Sequence, residues 1–157
     1  MEQIVIKEII SFEAGMVEAV NRLLDQLVST PMECTEKELR ELLASASSHL
    51  FFVYVDDEVA GMLTLGTYAS PTGVKYWVED VVVDQAFRGH SLGRKLIDYA
   101  IGYVAQRGKS TLMLTSKPAR VAANRLYQSA GFQSKQTNVY KMDFAGVSAD
   151  IHDSETR

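Results

Sequence analysis

Residues 84–96, DQAFRGHSLGRKL, place Gly89 and Gly93 beside Arg88 and Arg94, between a β-branched run ending at Val83 and an apolar-periodic stretch beginning near Leu92. A loop of this kind exposes several backbone N–H groups at a helix N-terminus, where they and the positive end of the helix dipole attract a phosphate. Glycines let the backbone come close to an anion. The plainer reading, a tight turn and nothing more, is outweighed by the placement of the loop after a strand and before an amphipathic helix. Two nucleotide loops are excluded: the Walker pattern needs Gly-Lys-Ser or Gly-Lys-Thr, and the dinucleotide pattern needs three spaced glycines. His90 contacts either a phosphate or only solvent, and for a histidine in an exposed loop the second is the default.

Just upstream, YWVEDVVVD carries two adjacent acids, Glu79 and Asp80. A carboxylate there can take the proton of an attacking ammonium, directly or through water. On a regular strand the two point to opposite faces, so only one faces a given cleft. The alternative for either is a solvated strand end or a structural ion pair. Cys34 has no neighbouring histidine and is read as an incidental thiol. No His or Cys cluster has zinc-ligand spacing, so no metal is expected.

The elements that must position these groups follow from pattern. Residues 3–10 are β-branched and read as a first strand, with Ser11 offering a cap to a helix carrying Val17, Val20, Leu24, Leu27 and Val28 inward. Thr35 with Glu38 is a capping box for a second helix. Residues 50–55 and 59–67 form a hairpin about Asp56, Asp57 and Glu58, and a further strand covers residues 74–83. Leu92, Leu96, Ala100 and Val104 recur every four residues, predicting a helix over about residues 92–106 that ends near Gly108. Residues 111–115, TLMLT, read as a buried strand, so strand, helix and strand make a right-handed parallel crossover. Pro118 precedes a last helix over about residues 119–130, which Gly131 ends. Residues 139–144 are expected to close the sheet.

The loop resembles the acyl-CoA loop of the GNAT superfamily, whose motif is Arg or Gln, two residues, Gly, one residue, then Gly or Ala. Arg88 and Gly93 match it, and Ser91 stands where the middle Gly falls. ARVAANRLYQSAGF is similar to the family's later segment ending in Leu-Tyr-x-x-x-Gly-Phe, and the two blocks together span about residues 77–144. The resemblance implies an α/β (α+β) fold: a mixed, mostly antiparallel sheet of about 6–7 strands with about four helices, splayed between the fourth and fifth strands. It implies that the backbone of Val81, Val82 and Val83 pairs with the pantetheine arm of acetyl-CoA like an added strand. It further implies that residues 88–94, Arg88, Gly89, His90, Ser91, Leu92, Gly93 and Arg94, hold the pyrophosphate. Tyr127 would meet the departing thiolate, with packing of the helix on the sheet as its ordinary alternative. The family often carries Asn seven residues before that Tyr; here the place is taken by Arg120, with Asn124 nearer, and either can reach the cofactor. The Glu-Asp pair resembles that of amino-sugar-phosphate acetyltransferases, which favours Glu79 as the base.

The expected function is acetyl transfer from acetyl-CoA to a primary amine, of a small molecule or a protein, by direct attack in a ternary complex. The alternative is a non-catalytic acyl-CoA-binding or regulatory domain. Sixteen basic against twenty acidic side chains, net −4 among 157 residues, argue against nucleic acid or anionic lipid as a general partner. With 46% hydrophobic and 23% charged residues the composition is globular, and no apolar run approaches membrane-spanning length, so a cytoplasmic protein is expected. Residues 1–145 read as one domain and 146–157 as a mobile polar tail. An exposed edge strand leaves a homodimer open.

Overall fold

Burial sorts the apolar residues of the strands into two cores, one on each face of a single sheet. In the computed structural model, which describes residues 1–146, that sheet has five strands in sequence order. They are β1 (Ile4–Ile9), β2 (Ser48–Val55), β3 (Glu58–Ser70), β4 (Gly73–Val83) and β5 (Thr111–Met113). β1 to β4 pair antiparallel, and β5 joins β4 in parallel. On one face lie α1 (Met16–Leu27) and α2 (Glu36–Ala44), whose Leu23 and Leu39 pack with Phe52 and Met62. On the other lie α3 (Leu92–Ala105) and α4 (Val121–Ser129), whose Leu96, Ile97 and Tyr127 pack with Phe51, Leu63 and Leu65.

Local chemistry explains most element ends. Thr35 accepts from the Glu38 N–H at 3.2 Å and its own N–H donates to the Glu38 carboxylate at 2.9 Å, the expected capping box. Asp56 and Asp57 both take positive φ, 47° and 68°, which matches the twist of a two-residue hairpin. Ser11 does not cap α1. That helix begins five residues later, after Gly15 in the left-handed region at φ 91°, a conformation a side-chain cap does not supply.

The expected strand over residues 139–144 is not formed. Val139, Tyr140, Met142 and Phe144 are all exposed, and the neighbouring edge belongs to β5, only three residues long. An alternating pattern needs a ladder to pair with, and so short an edge offers little of one. The sheet thus has fewer strands than expected. Residues 147–157, most of the expected tail, lie outside the described residues.

Candidate active site between β4 and β5

The ladder joining β4 to β5 covers only Lys75, Tyr76 and Trp77 opposite Thr111, Leu112 and Met113. Beyond Trp77 the two strands part, the splay between fourth and fifth strands that the sequence reading anticipated. A cavity of about 830 Å³ opens in the gap, lined by Val81, Val82 and Val83, by Arg88 and Gly93, by the chain at 115–118, and by Arg120 and Tyr127.

A bulge sets which way β4 presents itself. Met62 pairs with Val82 and Thr64 with Glu79, so β4 carries one extra residue there, and Asp80 adopts φ 49°. Side chains alternate up to Val78, which packs on the α3 face with Tyr76. Past the bulge the parity reverses: Val81 and Val83 pack toward α3, and Val82 joins the α1 and α2 core. Gly61 makes the close approach possible, since a Cβ on it would lie 2.7 Å from the Val82 carbonyl oxygen.

The start of the loop is fixed by Asp84, which is buried. Its Oδ1 accepts from the Ala86 N–H at 3.0 Å, and its Oδ2 accepts from Arg22 Nε at 2.9 Å. Gln26 accepts from the Gln85 N–H at 2.8 Å, so the C-terminal half of α1 grips the loop at two points. The Ala86 N–H above all holds the Asp84 carboxyl below the usual range; burial opposes this, and Gln26 and Arg22 add to it. Only the tendency of Asp to cap the turn after a strand could have signalled Asp84 in the sequence; Arg22 and Gln26 carry no such mark.

Farther along, Gly89 takes φ 92° and Ser91 takes φ 56°, ψ 32°, with no side-chain capping bond. The Lys95 N–H donates to the Ser91 carbonyl at 3.1 Å, the first bond of α3. The amides of Leu92, Gly93 and Arg94 therefore have no intrahelical acceptor, while the Leu92 side chain is buried in the core. A Cβ on Gly93 would meet nothing nearer than Leu126 at 3.7 Å, so this glycine leaves room at the cavity wall.

The charged residues divide. Arg88 lines the cavity, whereas Arg94 is held by both Asp98 oxygens, at 2.9 and 3.1 Å, and by Ser129 Oγ at 2.9 Å, tying α3 to α4. His90 Nδ1 lies 2.8 Å from a Glu2 carboxylate oxygen, an arrangement that neither sequence alternative anticipated. Asn124 donates to the Lys117 carbonyl at 3.0 Å and so shapes the loop after β5, while Arg120 faces the cavity. Among the described residues Arg88, Lys117 and Arg120 line the cavity and no carboxylate does, in a chain of net charge −4. Ser116 Oγ, in the cavity wall beyond β5, is buried with no hydrogen-bond partner among the described residues.

Tyr127, 9% exposed, stands in the cavity wall with Phe132 edge-on at 6.2 Å. Burial pushes its hydroxyl pKa up, and the Arg120 charge works against that rise. Glu79 is exposed and lies outside the cavity wall. It follows Val78, and so projects from the α1 and α2 face. Partial burial first, and then the Asp80 charge, raise its carboxyl pKa.

A splayed mixed sheet with a cationic cleft at the join of β4 and β5, beside free amides at the start of α3, has the chemistry of an anion-binding site. The model of the acetyltransferase (GNAT) family matches residues 18–132, and the chain belongs to that family. It is 32% identical over 112 residues to an L-methionine sulfoximine/L-methionine sulfone acetyltransferase of Salmonella typhimurium, an alignment covering 69% of this chain. The chain spans only 62% of that relative's length. Among solved structures, the aminoglycoside acetyltransferase meta-AAC0020 from an uncultured soil metagenomic sample, in complex with trehalose, superposes with a TM-score of 0.79. It is 15% identical, over 91% of this chain and 97% of that one. AAC(6')-Iy in complex with a bisubstrate analogue containing CoA gives a TM-score of 0.71 at 16% identity, over 90% and 99% of the two chains. At these identities the superpositions speak for the fold. Among the described residues, no helix is long and apolar enough to cross a membrane, and no group of three or more His, Cys, Asp or Glu could hold a metal ion.

Proposed function

We propose that this chain, through a single domain over residues 1–145, transfers an acetyl group from acetyl-CoA to a primary amine. The observation that carries the reading is the cleft itself: Arg88, Lys117, the free amide of Gly93 at the start of α3 and the Ser116 hydroxyl, which has no hydrogen-bond partner among the described residues, line a cavity that ends on Tyr127. These residues fit a polyphosphorylated, amide-bearing donor. Leu92, Gly93 and Arg94 offer backbone N–H groups to the pyrophosphate beside Arg88, with Gly89 and Ser91 shaping the approach and His90 at its rim. The backbone of Val81, Val82 and Val83, which β5 leaves unpaired, offers a strand edge to the pantetheine amides. Asn124 acts indirectly, by holding the loop at Lys117.

The thioester, when bound, supplies the acyl carbon and a leaving thiolate. Tyr127 gives a proton, or a hydrogen bond, to the sulfur, and Glu79 accepts the surplus proton of the amine through water. The raised Glu79 pKa brings that carboxylate nearer the range of an effective base. The acceptor is an amine of a small molecule or of a protein; the relative named as an L-methionine sulfoximine/L-methionine sulfone acetyltransferase supports the small-molecule class.

Calorimetric titration with CoA and acetyl-CoA, for the wild type and Gly93→Trp, tests the donor site. Saturable binding to the wild type that the variant loses is expected, because an indole at Gly93 would fill the cavity wall. Thiol release from acetyl-CoA with a panel of amines then tests transfer. A folded wild type that binds neither CoA nor acetyl-CoA would overturn the reading.

A further inference from the structure

Arg120, Ala123 and Tyr127 stand at the N-cap, and three and seven residues beyond it, on α4, which puts them on one side of the helix. All three line the cavity. The small Ala123 leaves a channel along the wall, and about 10 Å of helix rise separates the two end residues, much of it within reach of an arginine side chain. Among the described residues no carboxylate pairs with the Arg120 guanidinium. Tyr127 has the opposite difficulty, since a buried phenol is a poor proton donor unless something receives the charge it leaves behind.

We propose that Arg120 is a positioning residue for Tyr127, its guanidinium stabilising the phenolate formed when the Tyr127 hydroxyl gives its proton to the departing thiolate. This rests on the transfer reading above. In that step the new N–C bond forms and the C–S bond breaks with its electron pair left on sulfur. The Tyr127 proton moves to sulfur, the surplus proton of the amine goes to Glu79 or water, and water returns a proton to the phenolate. The charge of Arg120 already opposes the effect of burial on the Tyr127 hydroxyl in the substrate-free protein. An uncharged side chain at this place would leave the phenolate to the apolar wall of Leu126 and Phe132.

The test reads Tyr127 directly. Ultraviolet titration of tyrosinate absorbance in the substrate-free protein, with the Tyr127→Phe curve subtracted, isolates this one phenol. Arg120→Gln is expected to move its midpoint upward, and Arg120→Lys to bring it back toward the wild-type value. Arg120→Gln is also expected to lower kcat by about tenfold, less than the roughly 100-fold or more for removing the Tyr127 hydroxyl, with the KM for acetyl-CoA unchanged. Folding is not at stake: Arg120 is exposed, and its contacts to Lys117 and Asn124 are made by backbone atoms. A midpoint unmoved in Arg120→Gln overturns the proposal. So does a variant whose KM rises for acetyl-CoA but not for acetyl-dephospho-CoA, which would make Arg120 a phosphate ligand. Because the titration needs no substrate, a wild type inactive on every amine would sink the transfer reading alone and leave the coupling of Arg120 to Tyr127 measured.

Discussion

Ser91→Gly should make this protein more stable. Ser91 sits at the N-cap of α3 with φ 56° and ψ 32°, and its hydroxyl makes no capping bond there. A non-glycine residue in the left-handed region costs about 1–2 kcal/mol, because its Cβ crowds the following carbonyl. Glycine removes that cost but gives the unfolded chain more freedom, which offsets about 0.4–1 kcal/mol. The net expectation is about 0.5–1 kcal/mol of added stability, a rise in Tm of roughly 1–4 °C for a domain of this size. Ser91 is exposed, so no packing is lost. Ser91→Ala serves as the control: it keeps the strained backbone and removes only an unbonded hydroxyl, and should change Tm little. Thermal and urea unfolding of the three proteins decide the matter. A Ser91→Gly variant no more stable than the wild type, or a Ser91→Ala variant about 1 kcal/mol weaker, would refute the reasoning, the latter by showing that the hydroxyl is bonded.

Three further outcomes follow from the same geometry. Asp84→Asn should destabilise the protein by about 1–2 kcal/mol at neutral pH, by weakening charge-assisted bonds to Ala86 and Arg22. Because the folded carboxyl lies below its ordinary 3.8, that contribution is complete above about pH 4 and is lost as pH falls through the folded value, so urea unfolding of wild type and variant should converge in acid. Gly61→Ala would set a methyl group 2.7 Å from the Val82 carbonyl oxygen; a loss of about 1–3 kcal/mol by urea unfolding, with weaker CoA binding by calorimetry, is expected. If Glu79 is the base, kcat/KM should fall on the acid side at a pH above that of an ordinary carboxylate. Asp80→Asn should move that limb downward by removing the like charge, and Glu79→Gln should abolish it.

Much of the fold was legible because its determinants are local. The Thr35 and Glu38 capping box, the four-residue spacing from Leu92 to Val104 and the paired aspartates of the hairpin each specify an element within a few residues. The glycine loop could be located for the same reason, whereas Tyr127 stood out only through the resemblance of its segment to the GNAT family. What escaped depends on partners far along the chain. The clamp of Arg22 and Gln26 on the loop joins residues about sixty positions apart. The division between Arg88, facing the cavity, and Arg94, tied to Asp98 and Ser129, depends on where α4 docks. Residues 139–144 have the alternation of a strand and lack an edge to receive them, which no local pattern reveals.

The extra residue at Asp80 works as a counter. Every side chain after it on β4 lands on the face opposite to the one that simple alternation would give, and both hydrophobic cores are built on that shifted count. Residue 80 is held in type by its backbone, whose φ of 49° suits Gly, Asn or Asp although the side chain is exposed, and the number of residues between Val78 and Asp84 is held tightly. Over evolutionary time this strand should exchange residues at that place only among those that tolerate a left-handed backbone, and hardly change at all in length, because a one-residue deletion would turn Val82 out of one core and Val81 and Val83 out of the other at a stroke.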